Sequence, residues 1–246
     1  MAYFRRYLNT LLFCTTLGFL PKLVAQSGVS APTATIEFTV FASKPLTDVF
    51  FLPALGEQPL KLSFYSQSKS KIYSYKGQAQ LRFFRPTTLV NQNRLSTEPP
   101  AVDLLATFSI PNGAKNLTLF FFDNATTNAG DSLPYIIYGV DDSAERLPRG
   151  HFNILNASGR IYTADMGNNR QESIGLGLSG PFAATSYTKL RLATQIGGDW
   201  FLSGSREFNF DVNTRGTLVF FPPEETGGIS PNIRQLFEDL PSADKE

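Results

Sequence analysis

The sequence predicts an all-β protein: two tandem immunoglobulin-like β-sandwich units, with a short C-terminal amphipathic helix. Three observations lead there. Apolar and polar residues alternate in short runs separated by Gly, Pro and Asn, and no internal stretch shows helical periodicity. One stretch occurs twice, as Phe108–Phe122 (FSIPNGAKNLTLFFF) and Phe208–Phe221 (FNFDVNTRGTLVFF). Each copy alternates, breaks at a turn with Asn, Gly and one cation, and climbs into a strand ending in consecutive phenylalanines, the pattern of a β-hairpin. Only near the C-terminus does an apolar stripe with helical spacing appear.

The first 25 residues stand apart. Arg5 and Arg6 precede the apolar run Leu11–Leu20, and Leu23-Val24-Ala25 places a small residue at a cleavage point. This is the layout of a secretory signal peptide, and the run is too short for a good membrane span. Its removal takes three of the 22 basic residues, none of the 21 acids and the single Cys14. The exported chain then carries a balance of −2 and has no disulfide, so its core alone must hold it. A near-neutral surface argues against nucleic acid, whose phosphates demand clustered cations. These features place the chain in the periplasm, the outer envelope or outside a bacterial cell, with no transmembrane span in the mature form. With hydrophobic residues at 42% and charged residues at 17%, the composition is that of a folded chain.

Residues 26–33 read as a polar lead and residues 34–145 as the first unit. Thr35–Ala42 puts Ile36, Phe38 and Val40 on one face of a strand and Glu37 and Thr39 on the other. Val49–Leu52, Leu60–Tyr65, Ile72–Tyr75 and Gln80–Phe84 follow, the last two joined by a turn at Lys76-Gly77. Residues 86–100, with three prolines, read as a loop. Val102–Ile110 and Leu117–Phe122 come next. The small-residue loop Asn124–Ser132 precedes the strand Tyr135–Val140, and the polar stretch Asp141–Gly150 reads as the domain junction. The second unit, 150–223, repeats the order of signals. Phe152–Ser158 resembles Phe38–Ser43, Asn169–Leu178 resembles Gly56–Phe64, Ser186–Leu192 resembles Ser74–Phe83, and Phe208–Phe221 resembles Phe108–Phe122. Similarities in the same order point to an internal duplication.

Residues 224–246 read as a linker and helix. Ser230-Pro231 offers a cap and a first-turn proline. Ile233, Leu236, Phe237 and Leu240 then fall at i, i+3, i+4 and i+7, and Pro241 stops the run. A helix this short is marginal alone, so its stripe must dock, which makes these four residues the candidate partner-binding set.

Consecutive phenylalanines at Phe50-Phe51, Phe83-Phe84, Phe120–Phe122 and Phe220-Phe221 put rings on both faces of a strand. Coverage between units explains them better than an outward aromatic platform for sugars, for which Trp and Tyr are the better residues. The one histidine, His151, cannot build a His-based metal cluster and reads as structural. Asp141, Asp142 and Glu145 could hold a hard cation but read better as a solvated junction. Asp123, Asp131, Asp165, Asp199 and Asp211 lie at strand ends. Paired acids serve glycoside hydrolysis, yet strand-end acids are common turn formers. Trp200 reads as core. No phosphate loop, dinucleotide fingerprint, nucleophile elbow, cofactor motif or metal motif is present.

The segment Tyr135–Ser158, with Asp141-Asp142-Ser143, Pro148-Arg149-Gly150 and Asn153 or Asn156, resembles small exported bacterial β-proteins of unknown function, as does the Pro-Asn-Gly-Ala-Lys turn before it. The resemblance implies an exported two-unit β-sandwich and no particular activity. The functional expectation is a non-enzymatic binding or structural protein of the cell envelope. It would act through macromolecular contacts on an envelope protein, at the tail helix or at uncovered strand edges. A polysaccharide-binding module and a carboxylate-based glycoside hydrolase are the alternatives.

Overall fold

A computed structural model describes residues 33–86, 102–124, 132–167 and 170–241. The signal segment and most of the polar lead, of the Pro-rich stretch and of the small-residue loop fall outside the described residues. The described chain forms sixteen strands and no helix. They are β1 Thr33–Ala42, β2 Phe50–Phe51, β3 Leu60–Lys61, β4 Tyr73–Gln78, β5 Gln80–Pro86, β6 Val102–Ser109, β7 Asn116–Asp123 and β8 Tyr135–Asp141. Then come β9 His151–Asn156, β10 Tyr162–Asp165, β11 Gln171–Ile174, β12 Gly177–Ala183, β13 Tyr187–Ile196, β14 Asp199–Asn209, β15 Thr214–Phe221 and β16 Asn232–Asp239.

Four four-stranded sheets result, in the orders β4-β1-β7-β8, β3-β2-β5-β6, β12-β9-β15-β16 and β11-β10-β13-β14. Adding eight to each strand of the first two sheets reproduces the other two. The parallel pairing of β1 with β7 recurs as that of β9 with β15. Thr118 opposes Thr39 in one register and Thr217 opposes Asn153 in the other, with Phe38 and Phe152 one residue earlier. The echoes in the sequence therefore reflect a repeated strand order.

Each pair of sheets closes on one apolar core, sandwich-fashion. The first gathers Ile36, Phe38, Val40, Phe51, Tyr73, Phe83, Leu119 and Phe121 among others. The second gathers Phe152, Ile154, Tyr162, Leu190, Leu192, Leu218 and Phe220. Alternation along the strands sends these side chains inward, and full burial of each is worth about 1.5–3 kcal/mol. A third cluster lies where the outer faces of the β1 and β9 sheets meet: Phe41, Phe120, Val140, Leu155, Val219, Phe221 and Leu236, with Phe122 beside it. These rings are covered between units, as the doubled phenylalanines predict for β7 and β15. The two sandwiches belong to one compact unit, Ala31–Glu246.

Three expectations are corrected. The duplicated stretches are not hairpins. β6 and β7 lie in different sheets, as do β14 and β15, so the Asn/Gly turn carries the chain across the sandwich. A turn motif reports reversal of the chain, and long-range pairing decides which sheet receives it. Likewise Lys76 and Gly77 do not form a turn but lie within β4, and β5 begins in the opposite sheet after Ala79.

The C-terminal helix is the third. Residues 232–239 are the strand β16, paired antiparallel with β15 along its whole length from Asn232 opposite Phe221 to Asp239 opposite Thr214. The second unit thus runs past residue 223. Ile233 and Phe237 pack on the second core, while Leu236 points into the seam cluster. A strand covered on both faces needs apolar residues at both parities, and that spacing also matches a helical stripe.

Candidate functional site

The four residues read from the sequence as partner-binding are engaged within the chain. Leu236 is only 4% exposed. Phe237 sets its ring edge-on against Phe210 at 4.9 Å and Phe208 at 5.6 Å. Ile233 is half-buried, and the Leu240 N–H donates to the Asn213 carbonyl at 3.0 Å. Together they attach β16 to its own sandwich.

The junction acids are structural. Asp141 Oδ1 accepts from the Ser143 N–H at 2.9 Å. Asp142 Oδ2 accepts from Lys69 Nζ at 2.7 Å and from the Thr118 hydroxyl, which also meets the Thr39 hydroxyl at 2.9 Å. Lys69 lies 3.7 Å from Glu238 Oε2, whose other oxygen accepts from Arg215 Nε at 2.6 Å. An ionic chain of Asp142, Lys69, Glu238 and Arg215 thus links the first sandwich, the junction and the β15–β16 pair. Among the described residues no three His, Cys, Asp or Glu side chains gather as a metal site.

Other acids close turns. Asp165 accepts from the Gly167 N–H at 2.9 Å and Asp211 from the Asn213 N–H at 2.7 Å. Asp131 lies outside the described residues. His151 is half-buried, with Nδ1 2.8 Å from the Arg149 carbonyl oxygen.

Two surfaces stand out among the described residues, and both involve β14. The first is the far end of the β13–β14 hairpin, closed by Gly197 and Gly198, both at positive φ. Trp200 is 61% exposed and Leu202 63%. This corrects the placement of Trp200 in the core. Trp200 stands opposite Gln195, and Leu202 opposite Ala193, which in turn pairs with Thr163 of β10. Ile161, just before β10, is 60% exposed, and its carbonyl accepts from the Thr194 hydroxyl at 2.8 Å. Strand alternation puts Trp200 and Leu202 on one face of the hairpin and Phe201, 44% exposed, on the other. Further along β14 the Tyr187 hydroxyl donates to Glu207, which also pairs with Lys189 at 3.0 Å. That hydrogen bond first, then the lysine, holds the Glu207 carboxyl below the usual carboxylate range, while the same bond raises the Tyr187 phenol.

The second surface is an open cleft of about 430 Å³ between β14 and β16, lined by Gln67, Arg206, Ile233, Arg234, Gln235 and Leu236. Gln67 comes from the segment between β3 and β4, so both sandwiches contribute to it. Its described lining holds two guanidinium groups, two primary amides and no carboxylate. Arg206 and Arg234 are exposed and join none of the ion pairs among the described residues. β16 is the last strand of its sheet, so alternate backbone groups along it face away from β15.

Sequence reasoning missed both surfaces. The Gly197-Gly198 turn with Trp200-Phe201-Leu202 behind it was a legible signal, since three consecutive large apolar residues in an edge strand leave at least one outward. The cleft had no such signal, because its residues are far apart in the chain. No protein-family model matches the chain, and no curated protein matches it.

Proposed function

We propose that this chain is an exported, non-enzymatic binding protein of the bacterial cell envelope that acts through macromolecular contacts made by its second sandwich. The carrying observation is the β13–β14 hairpin end, where Trp200 and Leu202 stand exposed, with exposed Ile161 on the far side of β13, while the long phenylalanine runs are buried in cores and seam. Exposed apolar side chains grouped on one sheet face, at the tip of a long edge strand, mark an interaction surface. The identical strand order of the two halves supports reading them as immunoglobulin-like units in tandem.

The test compares recovery of an envelope protein by tagged mature chain with recovery by Trp200→Ala/Leu202→Ser. Loss of a defined partner at unchanged melting temperature supports the reading, and equal recovery overturns it. A second reading, polysaccharide binding, is favoured by the exposure of the single tryptophan, the residue best suited to stack on a sugar ring. It predicts retardation of wild type, and not of Trp200→Ala, in gels containing polysaccharide. The hydrolase reading needs two acids facing one cleft, and the described lining of the β14–β16 cleft holds none.

A further inference from the structure

The two sandwiches differ at the place where the cleft lies. In the first, β6 and β8 approach closely and close the side of the sandwich. Gly139 of β8 makes this possible, since a Cβ there would sit 2.3 Å from the Phe108 ring of β6. Ala106, two residues before Phe108 on β6, is fully buried. Aligning the repeats through Thr118 and Thr217 shows what replaces them. Gly139 opposes Leu119 in its sheet, and Gln235 opposes the corresponding Leu218. Ala106 and Phe108 of β6 correspond to Arg206 and Phe208 of β14, through their partners Phe83 and Leu81 of β5 and Leu190 and Thr188 of β13. The same strand order thus accommodates Ala and Gly with a closed side, or Arg and Gln with an open one. The fold does not require the polar pair.

We infer that the β14–β16 cleft is a binding site for a carboxylate-bearing sugar polymer, with Arg206 and Arg234 receiving its carboxylates and Gln67 and Gln235 its hydroxyls. Each guanidinium presents a planar fork of donors that matches a carboxylate in bidentate fashion. Each primary amide both donates and accepts, as a sugar hydroxyl does. Arg206 and Arg234 are exposed and join no ion pair among the described residues, so a carboxylate arriving there need not displace a protein acid. The volume falls within the range of about 300–1,000 Å³ typical of ligand sites. Its apolar lining is limited to Ile233 and the buried Leu236, which gives little for the side chains of a peptide to enter. The site is separate from the hairpin end and holds whether or not Trp200 contacts anything.

The test is calorimetric titration of the mature chain with oligogalacturonate and oligomannuronate, with a neutral oligogalactan and polyglutamate as comparisons, at about 50 and about 300 mM salt. Variants are Arg206→Gln/Arg234→Gln and, separately, Trp200→Ala. All three side chains are exposed, and melting curves verify folding. The expected result is binding of at least one acidic oligosaccharide in preference to both comparisons, weakened by salt. The double arginine variant lowers that affinity about tenfold or more, and Trp200→Ala leaves it within about twofold. The inference is overturned if neither acidic oligosaccharide binds, if the neutral one binds as well, if polyglutamate binds as tightly, or if the arginine variant binds like wild type. Loss in Trp200→Ala alone would move sugar binding to the hairpin end and remove it from the cleft.

Discussion

The two sandwiches share a strand order and differ in how their edges are finished. In the first, Gly139 lets Phe108 close the side, and the Thr118 hydroxyl in the seam is satisfied by Asp142. In the second, Arg206 and Gln235 line an open cleft, and the corresponding Thr217 hydroxyl is buried without a partner. The second also carries an exposed apolar end on its eleven-residue edge strand β14. A duplicated fold keeps its core alternation because every strand needs it. Edges and outer faces are free to diverge, as the closed β6–β8 side and the open β14–β16 side do.

The largest effect should come from the seam that couples the copies. Phe120→Ala empties a fully buried position against Phe41, whose ring lies 6.0 Å away, and should cost about 3–5 kcal/mol in chemical denaturation. Two separate unfolding steps in that variant would show that each sandwich is stable alone, whereas a single weakened step would make the copies one cooperative unit.

Edge closure comes next. Gly139→Ala forces a methyl group into the Phe108 ring and should cost about 1–3 kcal/mol. Gln235→Ala, at the corresponding open position, should change stability by no more than about 0.5 kcal/mol. Equal costs would mean that the second sandwich depends on its cleft residues for folding, and the comparison would fail.

A smaller contrast concerns the paired threonines. Thr118→Val removes the hydroxyl that Asp142 accepts and should cost about 1 kcal/mol, while Thr217→Val removes an unpaired buried hydroxyl and should be neutral or stabilising by up to about 1 kcal/mol. Denaturant midpoints of the two variants, read side by side, check the opposite signs.

The smallest effect is on the outer face of β14. Glu207 titrates below its ordinary value of 4.5, so any stability it lends is present above that pH and fades as pH falls through its lowered folded value. Tyr187→Phe removes the main cause, and NMR titration of Glu207 should move upward toward the ordinary range. An unmoved titration would assign the depression to Lys189 instead.

Much of the fold was legible from local pattern. Alternation located β1, turn signals and apolar runs located β5, β6, β7, β8, β9 and β15, and the ordered echoes anticipated the repeated strand order now seen in the sheets, while the alternating run Leu60–Tyr65 forms a strand only at Leu60–Lys61. Doubled phenylalanines at Phe120 and Phe220 announced strands covered on both faces. The misreadings share one cause. Asn/Gly turns before β7 and β15 look the same whether the chain returns to its own sheet or crosses to the facing one. The stripe Ile233, Leu236, Phe237 and Leu240 looks the same on a helix face and on a two-sided strand.

By itself the sequence determined that the chain is dominated by β-strands, that its halves repeat, and that β7 and β15 are apolar on both faces. These follow from near-neighbour chemistry: alternation, turn residues and composition act over a few positions. Tertiary structure alone decided that β16 completes the second sandwich, that Lys69 meets Asp142 across 73 residues of chain, and that Gln67, Arg206 and Arg234 share one cleft. Each of these juxtapositions joins residues distant along the chain. They exist only after the two cores have formed and packed against each other, and no periodicity in the sequence encodes them.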